Sequence, residues 1–443
     1  MSLAALSLAA LVLAMVLSCI STVHVGFLSI ALAWVVGVYF GGMKADQVVA
    51  GFPSGLFLTL VGVTLLFSQA QANGTLERVA QRTVRLCRGQ RGIIPIAFFI
   101  LTAFLSAIGP GNIASTAIMA PMGMAAAGRY GIPAFLMAIM IANGASAGSV
   151  SPLAPTGVVV NGIVARLGLP DAHWSIFLNN LAAHAVVAIV GYLLLGGWRL
   201  IVNRAPAAQV AVAGAGAGGA SRAGGAGVPA GAAGAAGSVV DAGEGPLDWR
   251  QWLTLGLITA LVLGVIFLNV NVGFGAIGAA MILTLAKAAD DKAAAKAMPW
   301  GVIMLVCGVT VLVSILEKTG GMTLFATLLA KVATPLTAPA VTAFFTGAVS
   351  IYSSTTGVVL PAFLPTVPTL IAQIGGSTPM ALISSMTVGG HLVDVSPLST
   401  LGALCLAAAP AGTDTRRLFN QLLAWGMSMT VVGALVSWLL FGL

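Results

Sequence analysis

The octapeptide VSPLAPTG at residues 150–157 is matched by VSPLSTLG at residues 395–402. Each copy lies inside a long apolar segment, 133–166 in the first case and 379–409 in the second. A proline within a helix lacks an N–H donor and blocks the carbonyl one turn earlier, which leaves that acceptor unpaired. Each segment is therefore predicted to be a helix that is broken at its Ser-Pro pair.

Two further landmarks recur in the same order. The tripeptide GVT at 62–64 recurs at 308–310, and STAIMAP at 115–121 is matched by TTGVVLP at 355–361. The three offsets of 245, 246 and 240 residues are nearly equal, which indicates two copies of one structural unit. In an apolar chain, interruptions at matching points of two copies are typical of secondary transporters, whose substrates bind where the interruptions meet.

The composition excludes a soluble globular protein, because 59% of the residues are hydrophobic and only 7% are charged. Runs long enough to cross a hydrocarbon core of about 30 Å occur at 3–21, 25–40, 176–198, 252–270 and 418–440. We therefore predict an all-α polytopic membrane protein with the lipid bilayer as its surroundings. The net charge of +8 does not indicate a nucleic-acid partner, because the basic residues are scattered over loops.

Residues 205–246 consist mostly of Ala, Gly, Ser, Val and Pro and are predicted to form a flexible linker. The linker separates a first repeat, 1–204, from a second repeat, 247–443. Each repeat has two apolar helices, a third followed by an amphipathic stretch, an interrupted segment, a broken helix and a closing helix. The predicted segments are 3–21, 24–41, 54–71, 75–89, 93–127, 133–166 and 174–199, then 250–270, 273–289, 299–316, 321–333, 338–373, 379–409 and 416–441.

The interrupted segments, 93–127 and 338–373, are each about 35 residues long. A straight helix of that length would rise about 50 Å, too far for one comfortable crossing. The sequence IGPGN at 108–112 would also break such a helix. We predict two re-entrant hairpins, whose irregular tips must be buried in protein or line an aqueous cavity.

The basic residues predict the orientation of the chain. Five crossings in each repeat make the second repeat inverted relative to the first. With external termini, a cytoplasmic linker and ten crossings, the basic residues on the cytoplasmic side are Arg78, Arg82, Arg85, Arg88, Arg91, Arg129, Arg199, Arg204, Arg222, Arg250, Lys287, Lys292, Lys296, Arg416 and Arg417. Only Lys44, Arg166, Lys318 and Lys331 remain outside, as the positive-inside rule requires.

The two hairpin tips are candidate substrate sites. Their sequences are GPGNIAST at 109–116 and YSSTTG at 352–357. A helix that restarts within the membrane presents unpaired N–H groups and a positive dipole end, which favour a carboxylate. The alternative is close helix packing by small residues. The substrate-binding candidates at the tips are Asn112, Ser115, Thr116, Ser353, Ser354, Thr355 and Thr356.

The two Ser-Pro breaks, within 143–152 and 389–397, are predicted to face the hairpin tips. Free carbonyls and small residues at such a break can form a cation pocket, whereas the alternative is an ordinary proline kink. The breaks supply the substrate-site candidates Ser151, Pro152, Ser396 and Pro397. They also supply the coupling-ion candidates Ser146, Ser149 and Asp394.

Asp394 is an ionisable residue inside an apolar segment, which is costly and points to a function. It aligns with Ser149 of the first copy, and His391 lies three residues before it on the same face of an intact turn. Three roles remain open for Asp394: a Na⁺ ligand, a carrier of a coupling proton together with His391, or a cap of the restarted helix. His184, in an apolar helix, is predicted to be a hydrogen-bonded packing residue.

No catalytic nucleophile with a base, metal-ligand cluster or phosphate-binding loop is visible in the sequence. We therefore expect neither an enzyme nor an ATP-driven pump, and no cofactor apart from Na⁺ as a possible coupling ion.

The motifs resemble the malonate/dicarboxylate carriers of the ion transporter superfamily, which are related to the divalent anion:sodium symporters. The resemblance rests on GNIAST at 111–116 with Pro121, SPLAPTG at 151–157 and SSTT at 353–356. It spans both halves but not the linker. In the symporters, a Ser-Asn-Thr signature at each hairpin tip binds substrate carboxylates and helps to form a sodium site with the facing helix break.

The resemblance assigns roles to individual residues. It places Asn112 at the signature asparagine and Gly111 at the signature serine, with Gly148 opposite as a main-chain sodium ligand. The second tip has Ser353-Ser354-Thr355 and lacks the asparagine, which puts a second sodium site of that type in doubt. The resemblance also implies a homodimer and an elevator mechanism.

The sequence thus predicts a multi-pass carrier of the bacterial inner membrane for a small anionic substrate, malonate or a similar dicarboxylate, coupled to Na⁺ or H⁺. One alternative is a cation/proton antiporter on the same scaffold, with Asp394 as the exchanging acid. Another is the membrane subunit of a binding-protein-dependent transporter.

Overall fold

The computed structural model describes residues 2–20, 23–76, 78, 90–202, 247–268, 270–410 and 412–442. Every regular element within these residues is helical. The predicted linker, 205–246, lies outside the described residues, as does most of the predicted amphipathic stretch 75–89. The predicted all-α class is therefore confirmed for the described part of the chain.

The helices of the first half follow the predicted order. They are α1 (Leu3–Ile20), α2 (Val25–Trp34), α3 (Ala45–Val49), α4 (Ser54–Ala72), α5 (Ile93–Ala107), α6 (Gly111–Tyr130), α7 (Ala134–Gly148), α8 (Pro155–Arg166), α9 (His173–Leu194) and α10 (Gly197–Val202). We call α5, the turn 108–110 and α6 the first hairpin, and α7 with α8 the first broken helix.

The second half has the same order of long elements. Its helices are α11 (Trp249–Leu268), α12 (Val272–Leu285), α13 (Asp291–Ala297), α14 (Trp300–Thr319), α15 (Gly321–Ala330), α16 (Ala338–Ser350), α17 (Leu360–Phe363), α18 (Val367–Ile374), α19 (Pro379–Leu392), α20 (Thr400–Ala407) and α21 (Thr415–Phe441). We call 338–374 the second hairpin and 379–407 the second broken helix.

Six helical segments in the described residues are long and apolar enough to cross a membrane. They are Ser54–Ala72, His173–Leu194, Trp300–Thr319, Thr355–Ile374, Pro379–Ala407 and Thr415–Phe441. Large apolar side chains cover the outer surface, for example Leu285, which is 84% exposed, and Phe267, which is 72% exposed. Such a surface fits a lipid surrounding, because water would penalise it. The chain is a multi-pass membrane protein.

The helices are interrupted where the sequence predicted. In the first hairpin, Gly109 and Gly111 have φ of 141° and 78°, values that residues with a β-carbon rarely adopt, and Pro110 lies between them. The first broken helix stops at Gly148 and restarts at Pro155. The second stops at Leu392, continues as a 3₁₀ turn over Val393–Val395 and restarts at Thr400.

Some local structure differs from the prediction. The helix predicted at 24–41 changes to a π-helix at Val35–Phe40. The returning arm of the second hairpin is a π-helix at Thr355–Val359, then α17, a 3₁₀ turn at Leu364–Thr366 and α18. The prolines of this arm, Pro361, Pro365 and Pro368, explain its irregularity, because each removes an N–H donor from the helix. The short helices α3 and α13 were not predicted.

Each hairpin packs closely against the broken helix of its own half. A β-carbon at Gly144 or Gly148 of α7 would overlap the backbone of α5, at Phe99 and Ala103. In the second half, a β-carbon at Gly389 of α19 would overlap the backbone of Ala343 in α16. Glycine is required at these positions, and the contact brings the turn of each hairpin beside the break of the same half.

We expect Gly144→Ala to destabilise the protein, because the new methyl group would meet the backbone of Phe99. The free energy of unfolding should fall by about 1–3 kcal/mol, as is usual for overpacking. Gly278→Ala is the matched control, since Gly278 lies inside α12 and a methyl group there would have nothing within 4 Å. Thermal unfolding in detergent should show a lower midpoint for Gly144→Ala and an equal or higher midpoint for Gly278→Ala, because alanine favours a helix. A midpoint for Gly144→Ala that is not lowered would contradict the close packing.

Candidate functional site

The first hairpin tip lies against the start of α8. A β-carbon at Gly111 would come within 3.0 Å of Pro155 Cδ, so the first turn of α6 touches the point where the broken helix resumes. Asn112 is partly exposed and its Oδ1 accepts a hydrogen bond from the N–H of Ile113 at 3.0 Å. Thr116 Oγ1 donates to the carbonyl oxygen of Asn112 at 2.8 Å. The hydroxyl of Ser115 is buried without a hydrogen-bond partner among the described residues.

The first break is ordered by hydrogen bonds to its carbonyl groups. The carbonyl oxygen of Ser146 accepts from the Ser149 hydroxyl at 2.8 Å and from the Ser149 N–H at 3.2 Å. The Ser151 N–H donates to the carbonyl of Gly148 at 3.2 Å. The Ser146 hydroxyl is buried and has no partner in the described part of the chain. The break thus concentrates polar oxygen atoms at one buried place.

The second hairpin tip is joined to the second break through Thr355. Thr355 Oγ1 lies 3.0 and 3.2 Å from the two carboxylate oxygens of Asp394, and 3.2 Å from the carbonyl oxygen of Gly390. It also makes a short hydrogen bond with the hydroxyl of Ser350. Ser354 Oγ accepts from the N–H of Gly357 at 3.0 Å and so caps the returning arm.

Asp394 is buried, with 6% of its surface exposed. Besides Thr355, it accepts a hydrogen bond from the Ser399 hydroxyl at 3.3 Å. The start of α20 has no side-chain cap, so Asp394 binds hydroxyl groups rather than the N–H groups of that helix. Within the described ranges the ion pairs are Arg166–Glu317 and Asp171–His173, and Asp394 has no cationic partner.

His391 does not form a pair with Asp394. Its Nδ1 bonds to the carbonyl oxygen of Thr387 at 2.7 Å, and its Nε2 is buried without a partner among the residues described. The α-helix ends at Leu392, and Asp394 lies in the 3₁₀ turn that follows it.

The two halves meet at the interruptions. Thr156, in the first turn of α8, shares a hydrogen bond of 2.8 Å with Thr356 at the second hairpin tip. The end of α7 contacts the 3₁₀ turn at Val393–Val395, and α20 packs on α6. The structure therefore brings both tips and both breaks into one region, with Ser151 and Ser396 of the two Ser-Pro pairs buried. Ser353 and Ser354 are partly exposed.

Sequence reasoning missed several polar residues of α7 and α9. Asn180 Nδ2 donates to the carbonyl oxygens of Ser146 and Ala147, at 2.9 and 3.2 Å. Asn143 Oδ1 lies 3.2 Å from His184 Nδ1, which makes His184 the hydrogen-bonded packing residue that was predicted. The available signal was an Asn-Asn pair at 179–180 inside an otherwise apolar helix.

The chemistry of this region is that of binding. It offers hydroxyl, amide and carbonyl groups and one buried carboxylate, and the described residues contain no group of three His, Cys, Asp or Glu side chains that could hold a metal ion. Hydroxyl and carbonyl oxygens suit an alkali cation, while hydroxyls, amides and helix N-termini suit a carboxylate.

Comparison with solved structures shows a protein of the same fold. A crystal structure of the Alcanivorax borkumensis YdaH transporter, described as having an unusual topology, has the same fold: the TM-score is 0.54, and 89% of each chain is covered at 15% identity. No curated protein sequence matches the chain. The chain therefore shares the fold of that transporter.

Residues 1–149 match the family model described as the dicarboxylate carrier protein MatC N-terminus. The match includes the first hairpin and α7 and ends at Ser149, within the first break. The resemblance to malonate/dicarboxylate carriers is thereby confirmed over the N-terminal third of the chain.

We expect the Thr355–Asp394 contact to give a measurable coupling energy. Thr355→Val removes the hydroxyl donor from a buried acid, and Asp394→Asn removes the acid. A double-mutant cycle should give an interaction energy of about 1–3 kcal/mol, the range for a buried hydrogen bond to a charged group. Unfolding by denaturant titration in detergent would measure it. Thr356→Val with Asp394→Asn is the control and should be additive; additivity in the first cycle as well would show that the contact is absent.

Proposed function

We propose that this protein is a secondary active transporter of a small dicarboxylate, malonate or a similar acid, in the bacterial inner membrane. The observation that carries the proposal is the meeting of two hairpin tips and two helix breaks at one place, through the contacts Thr156–Thr356 and Thr355–Asp394. We propose a dicarboxylate as the substrate because residues 1–149 match a family model that is described as a dicarboxylate carrier.

The two halves act as inverted repeats in this proposal. Corresponding elements make corresponding contacts: α5 packs on α7 in the first half, and α16 on α19 in the second. Each broken helix also reaches into the other half, since α8 touches the second hairpin and α20 the first. Such reciprocal contacts are expected of two copies related by a pseudo-two-fold axis; in this proposal the axis lies in the membrane plane. External termini, a cytoplasmic linker, a homodimer and an elevator movement complete the proposal.

The substrate carboxylates bind at the hairpin tips, between Asn112 and Ser115 on one side and the serine and threonine residues 353–356 on the other. Ser115 supports this, because its buried hydroxyl has no partner within the described residues. The Ser-Pro pairs Ser151-Pro152 and Ser396-Pro397 border the same region. The tips and breaks contain no lysine or arginine, so the site holds a dianion through helix N-termini, neutral donors and the coupling ion.

The coupling ion is Na⁺ or H⁺. Na⁺ binds at the first break, where Gly111, Asn112, Ser146, Gly148 and Ser149 supply the candidate oxygen atoms. Asp394 is the second candidate site for the coupling ion. A buried carboxylate without a cationic partner in the described residues is costly in a membrane, and a bound cation or proton removes that cost. The same observation favours the second candidate function, a cation/proton antiporter with Asp394 as the exchanging acid.

Purified protein in liposomes should accumulate malonate or a similar dicarboxylate only when a Na⁺ or H⁺ gradient is imposed. Asp394→Asn should lower gradient-driven uptake at least tenfold but retain exchange of internal for external substrate, because exchange needs no net ion movement. Asp171→Asn, in an exposed loop, is the matched control and should behave as the unmutated protein. Dicarboxylate uptake that is independent of both the Na⁺ and the H⁺ gradient would refute the coupling of transport to an ion. Proton movement driven by Na⁺ with no organic acid present would select the antiporter.

Asn112→Ala should abolish dicarboxylate transport while leaving the fold intact, because within the described residues the Asn112 side chain bonds to the N–H of the next residue alone. Its loss therefore costs little stability but removes an amide from the tip. Initial uptake rates, with the thermal midpoint as a folding check, test this. Asn420→Ala, on the exposed start of α21, is the control. Near-normal uptake by Asn112→Ala would remove Asn112 from the site.

A further inference from the structure

The helix α9 carries polar side chains that reach both broken helices. Asn180 donates to carbonyl groups at the end of α7, while the neighbouring Asn179 donates through Nδ2 to the hydroxyl of Ser384 in α19 at 2.9 Å. Asn180 is fully buried, so its hydrogen bonds form away from water and away from the lipid. A buried amide in an apolar helix is costly unless it is paired. Here the Nδ2 group is paired with the first break, while Oδ1 has no partner among the described residues.

The carbonyl oxygen of Ser146 is the centre of that arrangement. It accepts from the Ser149 hydroxyl, the Ser149 N–H and Asn180 Nδ2, at 2.8, 3.2 and 2.9 Å. The Ala147 carbonyl accepts from the same Asn180 amide at 3.2 Å. The last carbonyls of a helix have no donor within the helix, so one side chain of α9 replaces donors that α7 loses at the break.

The second half holds its break in a different way. The helix of the second half that occupies the place of α9 in the order is α21, and its residue Gly426 lies against the second break. A β-carbon there would lie 2.8 Å from Ser396 Cα and 2.9 Å from Ser396 N, so α21 supports the second break by direct backbone contact. The hydrogen-bonding side chain at the second break is instead Asp394. The first break therefore depends on Asn180 in a way that the second does not reproduce.

We propose that Asn180 is a positioning residue for the first helix break: by fixing the carbonyls of Ser146 and Ala147 it sets the orientation of Gly148 and Ser149, and thereby the affinity of the break for the coupling ion. The assignment of an ion to this break rests on the proposed function. The positioning itself rests on the hydrogen bonds of Asn180 alone. Asn180 touches neither the substrate nor the ion; it acts through the backbone.

Asn180→Leu tests the positioning, because leucine has nearly the same size and no N–H donor. Asn179→Leu is the matched control, since it removes an amide from the next residue and breaks a bond to α19 rather than to α7. Hydrogen–deuterium exchange of the full-length protein in lipid nanodiscs should show at least tenfold faster exchange for the amides of Ser149 and Ser151 in Asn180→Leu. The peptide that contains Val395 and Ser396 should be unchanged, and Asn179→Leu should leave the first break protected.

The functional consequence is measured separately in liposomes. Asn180→Leu should raise the half-saturating concentration of the coupling ion about tenfold, with less than a twofold change in substrate half-saturation at saturating ion. Asn179→Leu should change neither. Unaltered exchange at Ser149 in Asn180→Leu, or equal acceleration in Asn179→Leu, overturns the proposal. If Asn180→Leu does not fold, Asn180→Asp is used instead, because it keeps the shape of the side chain but lacks the amide. The exchange rates of the Ser149 and Ser151 amides are then judged by the same criteria.

The claim about positioning and the claim about the coupling ion can be contradicted separately. If the unmutated protein transports without any ion dependence, the proposed coupling is wrong, while the exchange data still decide whether Asn180 positions the break. If exchange accelerates as expected but ion half-saturation does not move, Asn180 orders the break without setting ion affinity, and the affinity claim is overturned.

Discussion

A backbone that leaves the helical state inside a membrane must find new partners for its N–H and C=O groups, because hydrocarbon offers none. This chain does so at two hairpin tips and two helix breaks, and the arrangement of the whole follows from it. The Asn180 amide donates a hydrogen bond to a carbonyl at the end of α7, and the Ser354 hydroxyl accepts one from an N–H of the restarted arm of the second hairpin. Each interruption is also covered by another, as at Gly111 and Pro155 or at Thr156 and Thr356. The interruptions therefore lie together, where protein rather than lipid surrounds them.

The positions of the interruptions were predictable from sequence, because their causes are local. A Gly-Pro-Gly run and a Ser-Pro pair break a helix whatever surrounds them, and the structure has its first hairpin turn at 108–110, inside the predicted 108–112. The role of Asn180 was not predictable in this way, because its acceptors lie 33 and 34 residues away and are defined only once α9 packs on α7. His391 and Asp394 bond to different groups: His391 to the carbonyl of Thr387, and Asp394 to the hydroxyls of Thr355 and Ser399.

The two copies have the same landmarks but different polar groups. Where the second has Asp394, the first has Ser149; Asn180 bonds to the first break, whereas Gly426 lies against the second. A neutral amide keeps its hydrogen bonds whatever the pH or the salt, whereas a carboxylate in the same surroundings changes its charge when a proton or a cation arrives. The polar side chain at the first break is thus a neutral amide, whereas the one at the second break is ionisable. An exact symmetric repeat would lack that difference.

The glycine contacts between each hairpin and its broken helix have a mechanical consequence. Gly144 and Gly148 stand one turn apart against the backbone of α5, so a slip of half a turn, about 2.7 Å, would drive the side chains between them into the carbonyls of Phe99 and Ala103. Shear within the pair is thus blocked, and so is shear at the Gly389–Ala343 contact. A displacement of either hairpin would therefore carry its broken helix with it.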